Sequence, residues 1–308
     1  MSTTPDLSPT PTVAIRQAAT VVLLRDSVDG MQVLLVRRHG QSSFMPDATV
    51  FPGGKVDPED AAAAWAGPEP AVAGLAGADA RAFLVAAARE LHEEAHVLLA
   101  VDGAGCAVDP NQVDEFTLEV ESARRDHRLP SAHWHRSLRA RDWHIDGRAL
   151  AIFAHWLTPE AEPRRFDTYF AVALLPAGQR ATLDPHETTE LTWISPASAL
   201  VEHRDAGSML LPPPTQHTLQ RLTHWSQSER AWAQLLLEGP GPLILPWYDP
   251  SEPASVMPWD PGHPDCGAWL ARHGHTVPRM TGVAPSQLPC RDRFVVQIGK
   301  RTQRQTDA

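Results

Sequence analysis

The sequence predicts an α+β or α/β/α layered domain. Two observations carry that expectation. Runs of β-branched and aliphatic residues recur at 18–24, 31–38, 149–158, 166–176 and 189–195, each about the length of a strand. Stretches with helical spacing stand among them, at 79–98, 111–128, 196–207 and 212–225. The two kinds follow no regular strand–helix–strand rhythm, and the chain holds no internal repeat.

The first two runs, AATVVLL and MQVLLVRR, are separated by RDSVDG and read as a hairpin with a loop of several residues. ATVFPGGKVDPED (48–60) reads as a short strand entering a Gly-Pro turn. The next stretch, 61–80, is rich in Ala, Gly and Pro. It reads as a surface insertion with a helical turn at most, removable without loss of the fold. In the helix over 79–98, Leu84, Ala88, Leu91, Ala95 and Leu98 make one apolar stripe. The helix over 111–128 ends near Pro130, and two strands follow across the charged turn PEAEPRR. TELTWIS is another strand, PASALVEHRDAG a helix stopped by Gly207, and PPPTQHTLQRLTHW a helix opened by prolines and joined to SERAWAQLLLEG. The last seventy residues are rich in Pro and Trp, with a strand at RFVVQIG.

Composition narrows the function. A net charge of −10 argues against binding nucleic acid through a general basic surface. Lys55 and Lys300 are the sole lysines, so a polyanionic ligand must be met by a few arginines and by metal. No run of eighteen apolar residues predicts a membrane helix. The start, MSTTPDLSPTPT, has neither the basic nor the apolar part of a signal peptide and reads as a disordered arm over 1–12. Cys106, Cys266 and Cys290 are odd in number and widely spread, which fits a reducing, cytoplasmic setting.

One stretch stands out chemically. RELHEEAHVLL (89–99) places Glu90, Glu93 and Glu94 at positions i, i+3 and i+4, on a face beside the apolar stripe. Like charges so spaced repel by a few tenths of a kcal/mol per pair, roughly. Alone, the cluster reads as a solvated face. Upstream, however, FPGGK carries two adjacent glycines that let a backbone approach a ligand closely. Carboxylates at helical spacing can converge on Mg²⁺, which is held by few carboxylates together with water and substrate phosphates.

In that order, GGKVDPED…RELHEEAHV resembles the box of the Nudix hydrolases: G, five residues, E, seven residues, then R-E-U-x-E-E-x-G-U, with U aliphatic. From Gly54, the first Glu of the box falls on Asp60, and Arg89, Glu90, Leu91, Glu93, Glu94 and Val97 fill the second half in register. The chain departs from the pattern twice. Arg89 lies 35 residues after Gly54, against 14 in the uninterrupted box, so about 21 are inserted. His96 stands in place of the box glycine. The coenzyme A diphosphatase-like branch of the family also carries an insertion there. That branch further shows FMP-x-A-x-VFPGG, matched here by FMPDATVFPGG (44–54), and its later segments look like 156–174 and 190–222.

The resemblance covers roughly residues 16–226. It implies an α+β fold of the Nudix type, an α/β/α sandwich with a mixed β-sheet over 13–226, followed by a C-terminal extension over 227–308. It implies that Glu90, Glu93 and Glu94 bind catalytic Mg²⁺ or Mn²⁺ with the backbone carbonyl of Gly53, and that Arg89 holds the glutamates by an ion pair. It also implies a general base outside the box: Glu187, or Glu190 as its alternative. The reaction implied is hydrolysis of a diphosphate linked to another moiety, in coenzyme A or an acyl-coenzyme A. ADP-ribose, NADH-like dinucleotides and (d)NTPs are the alternative substrates, and a non-catalytic nucleotide-binding regulator is the alternative class. Arg37, Arg38 and Arg165, with Arg164 beside them, are the cations available for substrate phosphates. The expected partner is a small nucleotide-diphosphate substrate, without nucleic acid or membrane, and a homodimer is left open.

GHPDCGAWLARHGH (262–275) contains His263, Asp265, Cys266, His273 and His275, whose spacing matches no standard zinc pattern. These residues read as structural, and His133, His135 and the ten tryptophans as packing residues.

Overall fold

The computed structural model describes residues 13–42, 44–72, 74–125, 131–184, 188–249, 254–273 and 293–295. The expected arm at 1–12 lies outside them, as do Glu187, His275 and Cys290.

The central sheet is mixed and runs β10-β2-β1-β9-β8. These strands are β1 (Ile15–Ser27), β2 (Gly30–Arg38), β8 (Ala151–Leu157), β9 (Arg165–Leu174) and β10 (Thr188–Ile194). β1 and β9 are parallel; the other neighbours are antiparallel. The β1–β2 hairpin is tighter than the sequence predicts. Ser27 pairs with Gly30, leaving Val28 and Asp29 as the turn, and Gly30 has a φ of 107° that a side chain would oppose. The charged residues read as loop are therefore strand ends, with Arg25 and Asp26 in register with Gln32 and Met31.

β1 changes partners along its length, and this positions the site. Its second half pairs with β2, while Ala18–Thr20 pair with β4 (Gly53–Lys55); β2 in turn leaves β1 to pair with β3 (Thr49–Val50). The sheet forks there, and FPGG lies in the fork.

Alternate residues of the central strands feed two cores. Val21, Leu23 and Leu34 point into one, with α1 (Gly77–Ala95), α2 (Pro110–Arg125) and α3 (Ser131–Ala140). Val22, Leu24, Val33 and Leu35 point into the other, with α4 (Pro196–Val201), α5 (Pro213–Leu222) and α6 (Ser228–Glu238). Burial on both faces explains the unbroken apolar runs VVLL and VLLV. The result is an α/β/α sandwich. The helix read over 196–207 ends as α4 and continues as a wider turn over Glu202–Ala206, closed by Gly207 at φ 61°.

Beyond residue 227, described residues pack into the second core. Ala231, Leu235, Met257, Trp259 and Trp269 belong to it, the last from α7 (Cys266–His273), and Ser228 bonds the Asp26 carboxylate through N–H and Oγ. β11 (Trp247–Asp249), β12 (Ala254–Val256) and β13 (Arg293–Val295) make a separate antiparallel sheet. No helix among the described residues is long and apolar enough to cross a membrane.

The insertion lies at the surface as expected, but it is tied to the domain rather than a free loop. After a 3-10 turn (Pro58–Ala62), β5 (Trp65–Ala66) pairs with β7 (His144–Asp146), which pairs with β6 (Ala100–Val101). Ala63 is buried in the first core, and Trp65, Val72 and Leu75 pack against it. Small residues let the segment lie close to the protein; they do not keep it off.

Candidate active site

α1 brings the glutamates to the fork. Leu84, Ala88, Leu91 and Ala95 of the predicted stripe are buried on α1; the helix ends at Ala95, short of the expected 98, and Leu98 is buried beyond it. Glu90, Glu93 and Glu94 line the edge of a cavity of about 990 Å³, shared with Gly53, Gly54, Phe44, Phe166 and Trp156. Gly53 is required by backbone contact, and Gly54 makes room for the Glu90 carboxylate. A Cβ on Gly54 would lie 2.4 Å from the Glu90 carboxyl carbon, and one on Gly53 would lie 2.4 Å from the Ala19 carbonyl oxygen. The Gly53 N–H donates to Glu94 Oε2 at 3.0 Å, which ties the two halves of the motif together across 41 residues.

Arg89 organises the interior. Its Nε and Nη2 donate to the two oxygens of Asp60 at 3.1 Å each, Nη2 also donates to the Lys55 carbonyl at 2.8 Å, and Nη1 donates to Glu90 at 2.9 Å. Glu93 Oε1 lies 3.5 Å from Nη1. Burial works against the charge on Arg89, but Glu90, Asp60 and Glu93 outweigh it and raise the guanidinium above its ordinary value. Burial likewise opposes the Asp60 charge. His135, whose ring donates at 2.9 Å, Arg89 and the Asp57 N–H prevail and hold Asp60 below its ordinary value. His135 was read as packing; it is buried, and it closes the shell around Asp60.

The helix ends where the box glycine would fall. His96 adopts the left-handed conformation at φ 56° and ψ 25°, which costs about 1 kcal/mol for a residue with a Cβ. Its ring compensates: Nδ1 hydrogen-bonds Thr182 Oγ1 at 2.8 Å, a bond worth about 1 kcal/mol, and Nε2 lies 3.0 Å from Glu121 Oε1. The backbone path of a glycine-terminated helix is kept.

The expected phosphate-binding arginines divide. Arg38 and Arg164 line the cavity, and so do Arg16 and Arg124, which no motif marks. Arg37 and Arg165 do not. On strands that alternate faces, Arg37 pairs with Glu190 at 3.9 Å, and Arg165 is buried with Nε on the Thr158 carbonyl at 3.1 Å. Glu190 is exposed on β10 and does not line the cavity. Glu187 lies outside the described residues. In the C-terminal stretch, His263 bonds the Leu245 carbonyl at 3.2 Å, as a structural residue does. Cys106 and Cys266 are free.

Three acidic side chains at one cavity edge form an all-oxygen donor set that suits a hard divalent cation. Among the described residues no three acidic, His or Cys side chains converge into a ready-made cage. The guanidinium contacts explain this, since Glu90 and Glu93 lean on Arg89 and Glu94 on the Gly53 N–H. Such a set fits a cation that takes its remaining ligands from water and substrate.

A family model described as the NUDT19 Nudix domain matches residues 69–222, half of the chain. The chain belongs to the Nudix hydrolase family. Within the family its likeness is to the coenzyme A diphosphatase-like branch. It is 30% identical over 233 residues to the acyl-coenzyme A diphosphatase NUDT19 of Homo sapiens, covering 64% of this chain and 62% of that protein. With the Xenopus laevis protein of the same name it shares 25% over 237 residues, 66% of this chain and 62% of the relative. The chain thus spans less than two thirds of the length of these curated relatives. The crystal structure of a Nudix hydrolase from Alicyclobacillus acidocaldarius superposes with a TM-score of 0.58 at 28% identity, over 72% of this chain and 96% of the other. Nudix hydrolases use divalent metals. The matched span begins inside the insertion, so Gly53, Gly54 and Asp60 rest on the geometry above.

Proposed function

We propose that this protein hydrolyses the diphosphate linkage of coenzyme A or an acyl-coenzyme A, with Mg²⁺ or Mn²⁺ as its cation. One observation carries the reading: a cavity of about 990 Å³, with Glu90, Glu93 and Glu94 at one edge and Arg38, Arg164 and aromatic rings on its walls. Its size and mixed lining suit a nucleotide joined to a long second moiety. The printed name of the human and Xenopus relatives, acyl-coenzyme A diphosphatase, supports the substrate class.

In this reading Glu90, Glu93, Glu94 and the Gly53 carbonyl hold the cation. When bound, it neutralises diphosphate charge and lowers the pKa of water. The remaining work falls to the chain. Arg89 and Asp60 fix the glutamate helix against β4, and Gly54 allows the Glu90 carboxylate to lie against the backbone. Arg38 and Arg164 supply positive charge to a substrate that an acidic protein otherwise repels. Phosphoryl substitution depends mainly on such positioning and charge neutralisation. The general base is assigned to Glu187 on the resemblance alone.

A substrate panel tests the proposal, with products resolved by chromatography. Coenzyme A should yield phosphopantetheine and 3′,5′-adenosine bisphosphate. Faster cleavage of ADP-ribose, a dinucleotide or a (d)NTP would move the substrate assignment, and nucleotide binding without turnover would point to a regulator.

A further inference from the structure

The end of the glutamate helix is tied down by a loop that no motif marks. Residues 179–184, between β9 and β10, lie across the C-terminus of α1. The Thr182 N–H donates to the Ala95 carbonyl at 3.0 Å, and the Gln179 amide bonds the N–H and carbonyl of Leu98 at 2.8 and 2.9 Å. His96 adds a side-chain tie to the same loop at Thr182, and another to Glu121 on α2. Three residues along α2 from Glu121, Arg124 bridges two acids. Its Nη2 lies 3.4 Å from Glu93 Oε2, and its Nη1 donates at 2.5 Å to the buried carboxylate of Asp184, in the same loop. Glu93 therefore has Arg89 on one oxygen and Arg124 on the other.

We propose that His96 is a positioning residue. Its ring, with Arg124 beside it, ties the turn bearing Glu93 and Glu94 to α2 and to the 179–184 loop, a tie that the glycine of the standard box leaves to the backbone. The inference rests on reading Glu93 and Glu94 as cation ligands, but it assigns a role to a residue where the chain breaks its family's pattern. Three features support it. His96 accepts a left-handed conformation that a β-carbon disfavours, both ring nitrogens are engaged, and its partners come from the two elements that also hold Arg124. A glycine suits the backbone at this position and lacks both side-chain contacts. A role in backbone geometry alone and a role in positioning therefore predict opposite results for one substitution.

The test is His96→Gly in the full chain, beside wild type, His96→Asn and Thr182→Val. Three quantities are read: kcat and KM for coenzyme A, Mn²⁺ affinity by calorimetry without substrate, and the melting temperature. The expected result for His96→Gly is a kcat lower by about tenfold, short of the hundredfold that a full ångström of misplacement can cost. KM should stay within about twofold, and Mn²⁺ should bind several times more weakly, at a melting temperature near that of wild type. His96→Asn tolerates the left-handed conformation and keeps one polar reach, so it should recover part of the loss. Thr182→Val removes one tie with His96 in place, and it decides the matter should His96→Gly fail to fold. Wild-type kcat and Mn²⁺ affinity in His96→Gly, or in Thr182→Val where that variant decides, would overturn the positioning role alone. No Mn²⁺ uptake by the wild-type protein would overturn the ligand reading and the positioning role with it.

Discussion

Arg89 grips Asp60 through two parallel hydrogen bonds, Nε to Oδ1 and Nη2 to Oδ2, both 3.1 Å, with both side chains buried. The pair joins the first half of the box to the second across 29 residues. Removing one partner strands a buried charge, which costs about 3–5 kcal/mol. Arg89→Met should therefore lower the melting temperature by about 10 °C. Replacing Asp60 with Leu in the same protein should recover much of the loss, because the stranded carboxylate is gone. A single variant that melts within about 2 °C of wild type would show that the pair is dispensable.

Glu94→Gln tests the carboxylate cluster without removing its shape. The amide oxygen can still accept the Gly53 N–H, so the fold should survive. The charge is lost, and turnover should fall by a factor on the order of 10² or more if the metal supplies several kcal/mol of charge stabilisation. Turnover equal to wild type at every Mg²⁺ concentration would exclude Glu94 from the cation site.

Much of this was legible in the sequence because local chemistry carried it. The Leu84–Ala95 stripe, the paired glycines and the position of Arg89 each answer to a spacing, and the structure brings them together as that spacing implies. What escaped depends on contacts distant along the chain. His135 reaches Asp60 across 75 residues, and Arg124 reaches Asp184 across 60. Neither belongs to a periodic or motif signal. Arg37 and Arg165 lie off the cavity wall for a different reason: Arg37 and Arg38 are neighbours on β2 and point to opposite faces, while Arg165 opens β9 and Arg164 stays in the turn before it, and the sequence does not say which of each pair meets the cavity.

The structure also changes what a deletion should do. Removing all of 61–80 would take β5 from β7, where Ala64 and Ala66 accept the Ile145 and Gly147 N–H groups, and would take Ala63 from the core. That protein should aggregate or melt far below wild type. Trimming only 68–71 to a short Gly-Ser turn, which leaves Val72 and Leu75 on the core, should cost about 1 kcal/mol or less, since loop length enters weakly through closure entropy. Thermal melts of the two deletions decide; equal stability would make the whole segment a free surface loop.

Two histidines set an acid limit on stability. Burial pushes His92 down to about 3, assisted by the charges of His96 and Arg124, and burial also pushes His217 down to about 3, assisted by Arg221. His92 is locked neutral by its bonds: Trp134 donates to its Nδ1 at 3.1 Å, so Nε2–H must donate to Thr117 at 3.0 Å. The unfolded chain takes up both protons near pH 6.5 and the folded chain does not. Their stabilisation is therefore complete above pH 6.5 and lost as the pH falls from there toward 3. The two together should change unfolding free energy by about 2.7 kcal/mol per pH unit in that window. Urea unfolding between pH 7 and 5 measures it, and His217→Phe should roughly halve the slope. A flat profile would mean that these rings protonate in the folded state.

Coenzyme A carries a 3′-phosphate beside its diphosphate, adding about two negative charges, and the cavity wall offers Arg16, Arg38 and Arg164 to meet it. Dephospho-coenzyme A lacks that group. A charge-assisted contact is worth about 1.5–3 kcal/mol, so kcat/KM should be roughly ten- to a hundredfold lower on dephospho-coenzyme A. Gln variants of the three arginines, assayed on both substrates, identify the reader. The right one should lose activity on coenzyme A and keep it on the dephospho form, collapsing the ratio toward one. Arg37→Gln should leave the ratio unchanged, because Arg37 faces Glu190 and lies off the cavity wall. Equal rates on the two substrates in the wild-type protein would show that no side chain reads the 3′-phosphate. The diphosphate chemistry at the glutamates would stand, and the arginines would serve only as a general attraction for anions.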